Sequence, residues 1–84
     1  MTNSLRVLIV EEQPAIAEQM AFNLRETGFK INWIRTDSEA DFLCQLGTPP
    51  DLILASYTSP GFSALDALRL LQERQLDVPF AVVP

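Results

Sequence analysis

Short apolar runs alternate with helix-like segments along the whole chain, and this alternation limits the fold more than any other feature. Four runs have the length and mostly apolar composition of buried strands. These runs are Leu5–Val10, Lys30–Ile34, Asp51–Ser56 and Pro79–Val83. Strands joined by helical crossovers run parallel, and the crossovers are right-handed. The pattern therefore predicts an α/β fold with helices on both faces of one sheet, and 84 residues suffice for a single domain, 1–84.

Three segments between these runs repeat apolar residues every three or four positions, as amphipathic helices do. Each segment also carries a signal for a helix end. The signals are Pro14 and Gly28 for the first helix, a capping box of Thr36 with Glu39 for the second, and a capping box of Ser63 with Asp66 for the third. The positions predicted to face the core are Ile16, Ala17, Met20, Ala21 and Leu24 in the first helix, Ala40, Leu43 and Leu46 in the second, and Leu65, Leu68 and Leu71 in the third.

The charge balance and the missing residue types exclude several classes of function. The net charge is −5 and no basic run occurs, which disfavours nucleic acid and anionic membranes as partners. The chain has no histidine, so Ser-His and Cys-His nucleophilic pairs and imidazole zinc sites are excluded. Its one cysteine, Cys44, cannot form an internal disulfide, and no apolar run is long enough to span a bilayer or to act as a signal peptide. These features predict a cytoplasmic domain that is not an enzyme.

Two polar pairs follow the ends of predicted strands. Glu11 and Glu12 follow the first strand, and Ser56 with Tyr57 closes the third. Ligands of parallel sheets bind at the carboxyl ends of the strands, so these residues share one crevice if the first and third strands are neighbours. An acid pair there suits a hard divalent cation, although solvated carboxylates in a loop are the commoner explanation for two adjacent acids.

Two blocks of the sequence resemble the receiver domains of two-component response regulators. The block VLIVEEQPAIAEQM resembles their opening, where an apolar strand ends in two acids with a proline close behind. The block PPDLILASYTSPGFSALDALRLLQE resembles their middle, where a strand, a phosphoacceptor, a Pro-Gly loop and a leucine-rich helix follow one another. The resemblance implies a flavodoxin-like sheet of order 2-1-3-4-5, truncated here to 2-1-3-4, with the fifth strand, its lysine and the last helices missing after Pro84.

The resemblance also assigns roles to individual residues. Glu11 and Glu12 match the acids that hold Mg²⁺, Ser56 falls on the phosphoacceptor aspartate, and Pro84 falls on the hydroxyl residue of the switch. An acyl phosphate needs a carboxylate nucleophile, and Ser56 has no histidine to activate it. Without a third carboxylate, Glu11 and Glu12 are expected to bind Mg²⁺ weakly if at all. The resemblance thus implies a degenerate receiver, or pseudo-receiver, that is not phosphorylated.

The expected function is a protein-interaction module of a two-component phosphorelay system, which docks to a sensor histidine kinase or to an output domain. Self-association is also expected, through the unpaired edge of the fourth strand and the uncovered face of the first helix. The main alternative is a working receiver in which another acidic residue accepts the phosphoryl group; Asp51 is near in sequence but opens the strand at the opposite end. A nucleotide- or flavin-binding domain is disfavoured, because no glycine-rich phosphate loop follows the first strand.

Overall fold

The strands and helices alternate as the apolar pattern predicts. A computed structural model describes residues 4–57 and 61–83. Its elements are β1 (Ser4–Val10), α1 (Pro14–Arg25), β2 (Lys30–Thr36), α2 (Glu39–Gln45), β3 (Leu52–Ser56), α3 (Ala64–Glu73) and β4 (Phe80–Val83). The four strands form one parallel sheet in the order β2-β1-β3-β4. This order confirms the flavodoxin-like topology. No helix among the described residues is long and apolar enough to cross a membrane.

The core consists of two apolar clusters, one on each face of the sheet. Successive side chains of a strand point to opposite faces, so β1 contributes to both clusters. Val7 and Ile9 pack with α1, while Leu8 and Val10 pack with α2 and α3. This arrangement explains why β1 reads as a continuous apolar run, since both of its faces are covered.

The helices are rotated from the orientation that their large aliphatic residues predict, and three predicted core positions are wrong. Ile16 in α1 and Leu65 in α3 are 42% and 63% exposed, and Ala40 in α2 is also exposed. The buried helical residues are Ala17, Met20 and Ala21 in α1, Phe42 in α2, and Ala64, Ala67, Leu70 and Leu71 in α3. Alanines let a helix backbone approach the sheet closely, so they take the central positions and move the longer residues to the flanks.

The predicted start of α2 is also wrong. Thr36 is the last residue of β2, where it pairs with Val10, and it does not cap a helix. The N-cap is Ser38, whose Oγ accepts a hydrogen bond of 3.2 Å from the Asp41 N–H. Pairing with β1 extends β2 by two residues beyond Ile34, because β1 itself continues to Val10. The capping box of Ser63 and Asp66 at the start of α3 is confirmed.

The end of α1 differs slightly from the prediction. The helix ends at Arg25, and Gly28 lies beyond it in the turn toward β2. Gly28 has a φ of 97°, in the left-handed region that favours glycine. Gly28 therefore permits the turn after α1 but does not directly cap the helix.

Candidate functional site

The predicted crevice forms because β1 and β3 are neighbours. Val10 pairs with Ala55, so the next residues, Glu11 and Ser56, leave the two strands side by side at the carboxyl edge of the sheet. Both are buried, each with 4% of its surface exposed. The structure thus brings together the first predicted acid and Ser56, the residue at the predicted phosphoacceptor position.

Glu11 is held by hydrogen bonds to its own neighbourhood. Its backbone N–H donates to the carbonyl of Thr36 at 3.0 Å, which continues the pairing of β1 with β2. Its carboxylate Oε2 accepts a hydrogen bond of 2.8 Å from the backbone N–H of Gln13, the N-cap residue of α1. One oxygen of this carboxylate therefore supports the turn into α1. This hydrogen bond leaves fewer carboxylate lone pairs available to a ligand.

Glu12 is exposed and reaches toward the loop that follows Ser56. A Cβ atom placed on Gly61 would lie 3.8 Å from Glu12 Oε2, so the carboxylate lies beside the β3–α3 loop. Glu12 is thus the more exposed of the two acids, and its carboxylate lies near Gly61. Pro84 and residues 58–60 lie outside the described residues, so the predicted switch position is untested.

Arg35 is a site residue that the sequence analysis missed. Its Nη1 donates to the carbonyls of Glu11 and Glu12, at 3.3 and 3.2 Å, and to Asp37 Oδ2 at 3.2 Å. The guanidinium therefore ties the end of β2 to the backbone of both acids. The predicted second strand stopped at Ile34, which placed Arg35 outside the sheet and concealed its role.

The donor atoms of the crevice do not fit a tight magnesium site. Mg²⁺ prefers six oxygen ligands in octahedral geometry, and proteins usually supply carboxylates for it. Here the donors are Glu12, the partly engaged Glu11 and the Ser56 hydroxyl. Across residues 4–57 and 61–83, no group of three or more acids or cysteines is placed to hold a metal ion.

Two other acids near Ser56 in the sequence, Asp51 and Asp66, are engaged in structural hydrogen bonds. Asp51 lies at the amino edge of the sheet, where its Oδ2 accepts from the Arg6 backbone N–H at 2.8 Å. Asp66 accepts hydrogen bonds from the backbone N–H and the hydroxyl of Ser63, each at 3.1 Å. These bonds, with a smaller contribution from Arg69, lower the pKa of the Asp66 carboxyl below its ordinary value. Both acids therefore serve the fold at the positions they occupy.

Proteins with similar sequences are regulators of bacterial gene expression. The chain is 32% identical to the phosphate regulon transcriptional regulatory protein PhoB of Klebsiella pneumoniae, in an alignment covering 93% of this chain and 34% of that protein. It is 33% identical to the DNA-binding response regulator MtrA of Mycolicibacterium smegmatis, covering 80% of this chain and 29% of that protein. It is 29% identical to the alkaline phosphatase synthesis transcriptional regulatory protein SphR of Synechococcus elongatus. That alignment covers 93% of this chain and 34% of SphR. No family model matches the chain.

The parallel sheet, the acid pair after β1 and these likenesses define a receiver-type domain. Over most of its length the chain is similar in sequence to response regulators, and its sheet has the strand order of a receiver domain. It spans about a third of the length of the curated relatives it matches.

Proposed function

We propose that the chain is a pseudo-receiver, a non-enzymatic interaction module of two-component signalling that works without phosphorylation at Ser56. It docks to a sensor histidine kinase or to an output domain and acts in the cytoplasm. The observation that carries this proposal is a buried serine beside Glu11, at the position where the family resemblance places a phosphorylated aspartate.

The chemistry of the crevice supports this proposal. A serine hydroxyl needs a base to become a nucleophile, and the chain contains no histidine. The nearest carboxylate by strand register, that of Glu11, already accepts the Gln13 N–H through Oε2. A phosphoryl group would also enter beside two carboxylates without a firmly held cation to offset their charge. Each of these factors opposes phosphoryl transfer to Ser56.

The alternative function, phosphorylation of a different acid, has less support. Asp51 lies at the opposite edge of the sheet, and Asp66 is hydrogen-bonded within the capping box of α3. Glu11 and Glu12 are the acids left at the crevice. We therefore propose that the carboxyl edge of this sheet serves as a surface for recognition and has no group-transfer chemistry.

Intact mass measurement after incubation with acetyl phosphate and Mg²⁺ tests the proposal. We expect no gain of a phosphoryl group, and the same result for Ser56→Ala. The matched variant Ser56→Asp restores a carboxylate at this position and is expected to show partial, hydroxylamine-labile labelling. A gain of one phosphoryl group on the unaltered chain would refute the proposal, whether the adduct resists hydroxylamine, as phosphoserine at Ser56 does, or is labile, as an acyl phosphate on an acid is. If that adduct persisted in Ser56→Ala, another acid would be the acceptor and the alternative function would be correct.

A further inference from the structure

One face of α1 is exposed and carries an apolar residue between two opposite charges. Ala15, Glu18, Phe22 and Arg25 are spaced at i, i+3, i+7 and i+10, so they lie on the same side of the helix. All four are exposed, and Phe22 leaves 54% of its surface uncovered. Phe22 therefore gives this face an exposed apolar centre between Glu18 and Arg25.

This face borders a groove between α1 and the edge strand β2. The groove has a volume of about 420 Å³, and its lining includes Ala21, Phe22 and the half-buried Trp33 of β2. Glu18 and Arg25 also line the groove. Aromatic side chains next to an arginine are common in protein-binding surfaces.

The charges on this face are arranged to complement a second copy of the same helix. Glu18 and Arg25 lie at equal distances from the midpoint between Ala21 and Phe22, two turns apart on the helix. Neither forms an ion pair within the described part of the chain, where the ion pairs involve Arg35 and Arg69. When two α1 helices cross antiparallel at Phe22, Glu18 of each copy faces Arg25 of the other.

We infer that this α1 face binds a second copy of the chain about a two-fold axis near Phe22. Such an interface is isologous, because the same patch contributes from both copies. Phe22 of each copy enters the groove beside Trp33 of the other, and the two charge pairs set the antiparallel direction. A single helix contact buries less than the roughly 1,200–2,000 Å² of a stable interface, so the dimer is weak and depends on concentration.

This inference does not rest on the proposed function, since it uses no residue of the Glu11–Ser56 crevice. It also differs from association through the edge of β4, which lies on the other side of the sheet order. The partner surface is the same face of α1 in a second copy. The two helices run antiparallel, so that Glu18 of each copy meets Arg25 of the other.

Charge reversal at Glu18 and Arg25 tests the inference by sedimentation equilibrium. Glu18→Arg and Arg25→Glu each place like charges together at both contacts, and each is expected to weaken dimerisation by roughly tenfold. The double variant restores complementarity and is expected to dimerise like the unaltered chain. A mixture of the two single variants is expected to form a heterodimer. The control double variant Glu73→Arg with Arg74→Glu makes matched exchanges at the end of α3 and is expected to leave dimerisation unchanged.

Two further measurements separate loss of the interface from loss of the fold. Phe22→Ala removes an exposed side chain, so it is expected to abolish dimerisation while the circular dichroism spectrum and urea midpoint change little. Trp33 is the only tryptophan, and its fluorescence is expected to shift to shorter wavelength as the concentration rises. A chain that stays monomeric at every concentration would overturn the inference. Dimerisation that ignores both single charge reversals would also overturn it, and would indicate a different interface.

Discussion

Glu11 and Glu12 are adjacent in the sequence but differ in what they can do. Glu11 is buried and its carboxylate supports the turn into α1, whereas Glu12 is exposed beside the β3–α3 loop. Ser56 adds a hydroxyl at the position where the family resemblance predicts a third carboxylate. The residues of the crevice therefore form a polar surface and supply too few carboxylate ligands for a metal centre.

The crevice is expected to have a low affinity for divalent metal ions. Mg²⁺ or Mn²⁺ is expected to bind in the millimolar range or more weakly, because two carboxylates cannot replace enough of the hydration shell. Ser56→Asp is expected to tighten binding, and Glu12→Gln to weaken it further, whereas Glu73→Gln on α3 serves as a neutral control. Isothermal calorimetry measures these affinities. A micromolar site in the unaltered chain that Glu12→Gln removes would contradict this view of the crevice.

A second residue prediction concerns Arg35, which contacts the carbonyls of Glu11 and Glu12. Arg35→Ala is expected to lower the free energy of unfolding by about 1–2 kcal/mol, since two carbonyls lose their donor. It is also expected to speed hydrogen exchange in the Glu11–Glu12 loop. Arg69→Ala is the matched control: its ion pairs on α3 are exposed, and its removal is expected to cost little. Equal losses for the two variants would show that Arg35 has no special role.

Thr36 provides a third residue prediction. It is 1% exposed, and its Oγ1 has no hydrogen-bond partner among the residues that the structure describes. A buried hydroxyl without a partner costs about 1–3 kcal/mol, and valine has nearly the same shape. Thr36→Val is therefore expected to raise the urea midpoint, whereas Thr48→Val in an exposed turn is expected to leave it nearly unchanged. A clear loss of stability in Thr36→Val would indicate that the hydroxyl has a partner.

The N-termini of the helices α1, α2 and α3 are capped in different ways. Pro14 occupies the first turn of α1 after Gln13, whose side chain makes no capping hydrogen bond. Ser38 caps α2 through a single side-chain bond, while Ser63 and Asp66 form a reciprocal box on α3. The helix with the most complete cap begins shortly after Gly61, which lies near the Glu12 carboxylate.

This cap leads to a prediction about pH. Hydrogen bonds from Ser63 lower the pKa of the Asp66 carboxyl in the folded state, so the stability it contributes is present above its unfolded pKa. That contribution is lost as the pH falls through the lowered, folded-state pKa. Asp66→Asn is therefore expected to be less stable than the unaltered chain near neutral pH, with the difference narrowing in acid. Urea unfolding across the acid range measures the difference, with Asp77→Asn as a control for the loss of one carboxylate. A difference that does not depend on pH would contradict the assignment.

The two outer strands of the sheet, β2 and β4, form edges that differ in their side chains. β2 forms one edge and carries Trp33, while β4 forms the other and pairs only with β3 within the described residues. Val82 of β4 is 48% exposed. A strand edge with free backbone groups and an apolar side chain is a template for pairing with another strand.

The prediction that copies associate through the β4 edge remains open and can be separated from dimerisation through α1. Val82→Lys places a charge on this edge and is expected to remove any strand-to-strand association of the 84-residue polypeptide. It should leave the response to the Glu18 and Arg25 reversals unchanged. Sedimentation velocity of Val82→Lys, alone and combined with Glu18→Arg, measures both contributions. If Val82→Lys associates as strongly as the unaltered chain, the β4 edge has no part in self-association.

The order of the elements and the strand that precedes Glu11 could be predicted from the amino-acid sequence alone. Apolar runs and helix signals are local, so they can be recognised without the partners against which they pack. The parallel order β2-β1-β3-β4 agreed with the family resemblance, which also placed Glu11 and Ser56 at one edge. The capping box at Ser63 was equally local and was predicted correctly.

The side chains that fill the core and the backbone groups that meet at the crevice could not be predicted in this way, because both depend on packing between distant segments. Ile16 and Leu65 were predicted inside because they are large, but close packing of alanines on the sheet moved them outward. Thr36 became a strand residue because β1 offered it a partner at Val10, and the same extension placed Arg35 against the two acids. Such outcomes depend on contacts between segments far apart in the chain, and local periodicity carries no information about them.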